Sequence, residues 1–154
     1  MVEITFRKHS VGQSAYHLVW RPKYNFSIFR HPYPRKIVMD ALKEVATKWN
    51  ILIYEMEVMQ DHVHLFIEIP PTMTVSFSLQ ILKGGSSRIF FKRCTIWRKY
   101  CSRFGLSKPH LWSPGKFFRS VGSVTAEAVE KYIKNSNNWG FDFIDNGQTK
   151  LIAY

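Results

Sequence analysis

Apolar residues recur along this chain with two different periods, and the switching between them outlines a fold. Residues 15–21 (AYHLVWR) are an apolar-rich run stopped by Pro22, the mark of a short strand. A loop with Pro32 and Pro34 follows. Over residues 35–49 the period becomes helical: Ile37, Val38, Ala41, Leu42, Val45, Ala46 and Trp49 fall on one stripe. Pro34 suits the helix start, where a missing N–H costs nothing. Residues 51–59 (ILIYEMEVM) return to strand character. Gln60-Asp61 makes a short turn, and residues 62–69 (HVHLFIEI) complete a hairpin that Pro70-Pro71 ends. A long helical stretch then spans residues 75–100. At its centre stands Gly84-Gly85-Ser86-Ser87, where each glycine costs a helix about 1 kcal/mol relative to alanine. Either a kink or the close approach of another backbone, or of a ligand strand, accounts for such a patch. A loop from Pro109 to Pro114 leads to a fourth strand over residues 116–121 (KFFRSV). A last helix is expected over residues 124–138, with Thr125 as N-cap, Glu127 against the helix dipole and Gly140 as its stop.

The predicted order is β-α-β-β-α-β plus a terminal helix. This is the split βαβ, ferredoxin-like plan of the α+β class: an antiparallel sheet with helices on one face and the other face free. The chain has 154 residues, 45% hydrophobic and 21% charged, which fits one globular domain rather than disorder. We place a leader at residues 1–12, the folded domain at 13–139 and a tail at 140–154. No apolar run is long enough to span a membrane. Residues 1–12 carry Arg7, Lys8 and His9 without an apolar segment, which argues against a signal peptide. Cys94 and Cys101 lie about two turns apart if on one helix, too far for a bridge, so two free thiols in a reducing, cytoplasmic compartment are expected.

Charge changes the picture. The net charge is +11, and between Glu68 and Glu127 there is no acidic residue at all. That interval carries Lys83, Arg88, Lys92, Arg93, Lys116 and Arg119 among its cations, and interleaved Trp112, Phe117 and Phe118 among its aromatics. A block of one sign raises a positive potential over one side of a domain, and phosphate is its natural partner. Aromatics add stacking surfaces for bases, although some of these must be core. The six cations named are the candidate nucleic-acid contacts, each a phosphate contact or a solvated charge rather than a base reader.

The third strand carries the candidate chemistry. Alternation puts Val63, Leu65, Ile67 and Ile69 on one fully apolar face, the core side. His62, His64, Phe66 and Glu68 then share the opposite face. Two imidazoles at i and i+2 can hold one divalent metal, or can simply be exposed on a polar sheet face. Asp61 favours the first reading, because a carboxylate oxygen suits Mg²⁺ or Mn²⁺. Alternation alone points Asp61 away from the histidines; its place in the turn lets it swing round.

The segment Gln60-Asp61-His62-Val63-His64-Leu65-Phe66 resembles the signature of the IS200/IS605-type single-tyrosine transposases of the HUH endonuclease group. The resemblance extends in order through Tyr16-His17-Leu18-Val19-Trp20-Arg21-Pro22-Lys23-Tyr24, through Leu82-Lys83-Gly84-Gly85-Ser86-Ser87-Arg88, and through Glu130-Lys131-Tyr132-Ile133, covering roughly residues 12–138. It implies that residues 13–139 are a catalytic domain in which His62 and His64 hold Mg²⁺ or Mn²⁺. It implies that Tyr132 is the nucleophile that keeps a 5′-phosphotyrosine link. It also implies a homodimer whose terminal helices act in trans, and single-stranded DNA hairpins at transposon ends as substrate, handled at the nucleoid. The family usually has glutamine four residues after the tyrosine, completing the metal site. Here that position is Ser136, so Asn135 and Ser136, with Gln60 and Asp61, stand as candidates for the third ligand. Rival readings are an HUH replication initiator or relaxase, a non-catalytic nucleic-acid-binding module of the same fold, and a domesticated member that binds or cuts repeats without transposing. A binding module of that type would carry aromatics, not two histidines, on its central strands.

Overall fold

The structure is a computed structural model that describes residues 5–7, 10–12, 14–103 and 110–121. The helix expected over 124–138, with Tyr132, Asn135 and Ser136, lies outside the described residues. The elements, in order, are β1 (Thr5–Arg7), β2 (Ser10–Gly12), β3 (Ala15–Trp20), α1 (Pro32–Lys48), β4 (Leu52–Val58), β5 (Val63–Glu68), α2 (Val75–Arg93), α3 (Thr95–Arg103) and β6 (Phe117–Val121). β1 and β2, both within the segment assigned as a leader, pair with each other in antiparallel fashion.

The main sheet has the order β4-β5-β3-β6 with every pair antiparallel. The first and third of these four strands are central, which is the ferredoxin-like arrangement expected from the sequence. α1 and α2 pack on each other. Their buried side chains join those of the sheet in one core that includes Trp20, Phe29, Leu42, Leu65, Leu82 and Phe90.

Several elements differ in detail from expectation. α1 begins at Pro32 rather than 35; both prolines fit because the first-turn N–H groups need no partner. Its stripe is buried from Ile37 to Ala46, but Trp49 lies past the helix end, partly exposed and edge-on to Phe77. α2, capped by the Thr74 hydroxyl on the Phe77 N–H at 3.2 Å, runs unbroken through its glycines. The reason is an approach by α1: a Cβ on Gly85 would sit 2.7 Å from Val45 Cγ2, whereas one on Gly84 would meet nothing within 4 Å. The helix stops later, at buried Cys94, and the single helix expected over 75–100 is two.

The sheet face away from the helices was expected to be free. In β5 all six residues are buried instead, including His64, Phe66 and Glu68. The register of β4 shifts between Ile53 and Glu55. Leu52 pairs with Glu68, so ordinary alternation puts Tyr54 on that face, where its ring lies 5.1 Å from Phe66 and its hydroxyl donates to the Glu68 carboxylate.

Candidate functional site

β3 and β5 build the site between them. In their antiparallel register Val19 faces His64 and His17 faces Phe66. Paired residues share a sheet face, and so do residues two apart on a strand, so His17 and His64 are diagonal neighbours on one face. His17 Nε2 lies 3.1 Å from His64 Nδ1. The ring centroids are 5.3 Å apart with planes only 12° apart. That separation is about the N···N distance plus a ring radius at each end. The rings therefore lie side by side, meeting through their nitrogens, rather than face on face.

His62 stands one residue before β5, its ring edge-on to His64 with centroids 4.8 Å apart. Its Nδ1 meets Asp61 Oδ1 at 2.7 Å, and Asp61 Oδ2 is 3.9 Å from the Arg21 guanidinium. Both histidines thus have Nδ1 engaged, one by Asp61 and one by His17. The remaining ring nitrogen of His64, Nε2, is buried with no hydrogen-bond partner among the described residues. Leaving such a group unsatisfied costs about 1–3 kcal/mol. Burial pushes His64 down to about 3, with the His62 and His17 imidazoles adding to the effect. Burial, helped by the Arg119 charge, pushes His17 down to about 4. Both rings are therefore neutral near pH 7, the form whose lone pair can bind a metal. Among the described residues, no three or more His, Cys, Asp or Glu side chains converge as a complete metal cage. His62 and His64 are two side chains that could contribute to one.

Four of the other predicted site residues fall in two places. Arg119 pairs with His17 in the β3–β6 register and so belongs to the histidine face, exposed beside it. Phe117 is on that face too, edge-on to His17 at 6.2 Å. Lys83, Arg88 and Lys92 instead line a cleft of about 810 Å³ formed by α2 and the loop at residues 110–114. Lys23, Arg98 and His110 line it as well, residues that sequence reading did not single out as nucleic-acid contacts. Within the cleft the Lys83 ammonium is committed, donating to the carbonyls of Ser113 at 2.7 Å, Pro114 at 3.3 Å and Gly115 at 3.1 Å. Burial pushes Lys83 down to about 8, and the Lys116 charge adds to this. Arg93 is paired with Glu44 at 2.6 Å. Trp112 is core: it packs against Trp20 and Phe29, and its Nε1 donates to Ser86 Oγ at 2.9 Å. Ser87 Oγ accepts from the Leu111 N–H at 3.1 Å. The Gly84-Gly85-Ser86-Ser87 patch therefore does two structural jobs, admitting α1 and holding the loop.

His17 was the residue the strand reading left without a role. Its phase with Ala15 and Val19 was visible, but its meeting with His64 depends on the β3–β5 register, which no local pattern encodes.

A model of the IS200-like transposases matches residues 10–136. The chain belongs to the IS200-like transposase family. Among its relatives, the Salmonella typhimurium transposase for insertion sequence element IS200 is 33% identical over 128 residues, which cover 82% of this chain and 79% of that one. A crystal structure of a Deinococcus radiodurans protein assigned as a transposase matches this IS200-like transposase with a TM-score of 0.66 at 26% identity, covering 86% of this chain and 97% of the other. A REP-associated tyrosine transposase bound to a REP hairpin matches with a TM-score of 0.51 at 13% identity, covering 86% of this chain and 68% of that one, a likeness of fold. No helix among the described residues of this IS200-like transposase is long and apolar enough to cross a membrane.

Proposed function

We propose that this transposase cleaves and rejoins single-stranded DNA at hairpin-bearing element ends through a 5′-phosphotyrosine intermediate, with Tyr132 as nucleophile. His62 and His64 hold a divalent metal, Mg²⁺ or Mn²⁺. The observation that carries this reading is the state of the histidine pair. Both Nδ1 atoms are occupied, and His64 Nε2 is buried without a hydrogen-bond partner among the described residues. That is the disposition of two imidazoles prepared to bind through Nε2. When bound, the metal would polarise the scissile phosphate and neutralise charge that develops in transfer.

The chain's own groups do the rest. Tyr132 Oη forms a bond to phosphorus as the P–O3′ bond breaks, and the departing 3′ oxygen takes up a proton. The 5′ phosphate stays on the tyrosine, so the bond energy is kept. A DNA 3′-hydroxyl later attacks the same phosphorus and releases the tyrosine without a need for ATP. Asp61, on His62 Nδ1, orients that ring. Asn135 or Ser136 follow Tyr132 by three and four positions and, on a helix, would share its face, so they are the candidates to complete the metal site. Arg119 stands ready to meet a phosphate beside the histidines, and Arg88 and Lys92 offer a second contact area in the cleft. The protein acts as a homodimer at the nucleoid, each terminal helix serving the partner's histidines. The hairpin bound by the REP-associated structure of like fold supports a hairpin substrate.

The test is a labelled single-stranded hairpin oligonucleotide incubated with Mn²⁺ and resolved on a denaturing gel. A covalent protein–DNA adduct is expected with the unaltered protein, absent in Tyr132→Phe, and reduced at least about 100-fold in His64→Ala. An adduct that survives Tyr132→Phe would remove the nucleophile assignment. No adduct with any hairpin or flank would remove the enzymatic reading.

A further inference from the structure

We propose that His17, on the first strand of the main sheet, is a positioning residue for the metal site: its Nε2 accepts the Nδ1–H of His64 and thereby leaves His64 Nε2 bare and aimed for the metal. The inference rests on the reading of His62 and His64 as metal ligands.

The argument is one of proton placement. A neutral imidazole carries one ring proton, so a ring that ligates through Nε2 must carry it on Nδ1. That N–H then needs an acceptor, and buried in a sheet it cannot use water. Backbone carbonyls of β3 and β5 are taken by the ladder. His17 Nε2, at 3.1 Å and nearly in the plane of the ring, is in place to accept it. The opposite tautomer is incompatible with ligation. If His17 donated instead, the His64 proton would sit on Nε2 and leave no lone pair there for a metal.

The two ligands are also held differently. His62 is oriented by an anion from its own turn, Asp61, with Arg21 nearby. His64 is oriented by a neutral ring from the adjacent strand. The second device couples the ligand to sheet register. A slip of one residue between β3 and β5 would turn His17 to the core side and leave His64 without its acceptor. In ligand sets of this kind, loss of the hydrogen-bond partner typically weakens metal binding by about 10–100-fold.

Two readouts test the proposal on the full-length chain. The first is the ¹⁵N signature of the His64 ring in the metal-free protein. Protonation at Nδ1 is expected, with a switch to Nε2 in His17→Leu; an Nε2–H tautomer in the unaltered protein overturns the proposal without any metal being present. The second is Mn²⁺ affinity by titration calorimetry. His17→Leu, which cannot accept, should bind about 10–100-fold more weakly. His17→Gln, whose amide oxygen reaches the same place, should bind within about threefold of the unaltered protein. If His64→Ala abolishes binding while His17→Leu binds normally, the positioning role is wrong and the metal site stands. If the unaltered protein binds no Mn²⁺, the metal site fails and this role fails with it.

Discussion

His17 and His64 are buried and neutral, and that state has a cost at acid pH. The unfolded chain protonates these rings near pH 6.5, whereas native His17 resists until about 4 and native His64 until about 3. Between those values the unfolded state holds more protons, so stability falls as the pH drops and is fully present only above pH 6.5. For His17 alone this amounts to about 2 kcal/mol between pH 7 and pH 5. Urea unfolding with a chelator present should therefore give a lower midpoint at pH 5 than at pH 7, with a shallower decline in His17→Gln. Equal midpoints at the two pH values would mean the rings are not buried as described. The same residues mark the limit of sequence reading at this scale. The shared face of His62 and His64 followed from strand alternation. The engagement of their Nδ1 atoms did not, because it depends on a cross-strand partner and on how a turn aspartate settles.

At the scale of elements, α2 offers a contrast between adjacent glycines. Gly85 meets Val45 of α1 and Gly84 faces open space. Gly85→Ala should destabilise the protein by about 1–3 kcal/mol through overpacking, and adding Val45→Ala should recover part of the loss. Gly84→Ala should stabilise by up to about 1 kcal/mol, as alanine does in an open helical position. Thermal melts of the three variants check this, and similar melts for both single variants would contradict it. Ser86→Ala strands the buried Trp112 Nε1 and should cost about 1–3 kcal/mol. The helices and strands themselves were legible, because periodicity is local. The break at Cys94 and the purpose of the glycines were not, since both are set by what packs against the helix. The burial of the second sheet face escaped for a similar reason: alternation puts Tyr54 in phase with Leu52, but its contacts with Phe66 and Glu68 depend on the β4–β5 pairing, which no local pattern encodes.

At the scale of the molecule, the basic character was plain in the sequence, but its division was not. Arg119 lies with the histidines, while Arg88 and Lys92 line the cleft of α2 and the 110–114 loop. Replacing Arg88 and Lys92 together by glutamine should weaken hairpin binding and flatten the salt dependence by about 0.7–0.9 log units per lost phosphate contact. Arg93→Gln should change little, because that charge is already paired with Glu44. Fluorescence anisotropy across a salt series separates the two cases, and equal slopes for both variants would count against a role for the cleft. The family, the ferredoxin-like plan and the histidine strand were all readable from ordered motifs. The proposed chemistry rests on Tyr132, one of seven tyrosines. The most direct measurement is mass spectrometry of the adduct trapped on a hairpin oligonucleotide, after nuclease and protease digestion. A nucleotide on the peptide that contains Tyr132 is the predicted result; a nucleotide on any other tyrosine, or no modified peptide at all, would contradict it.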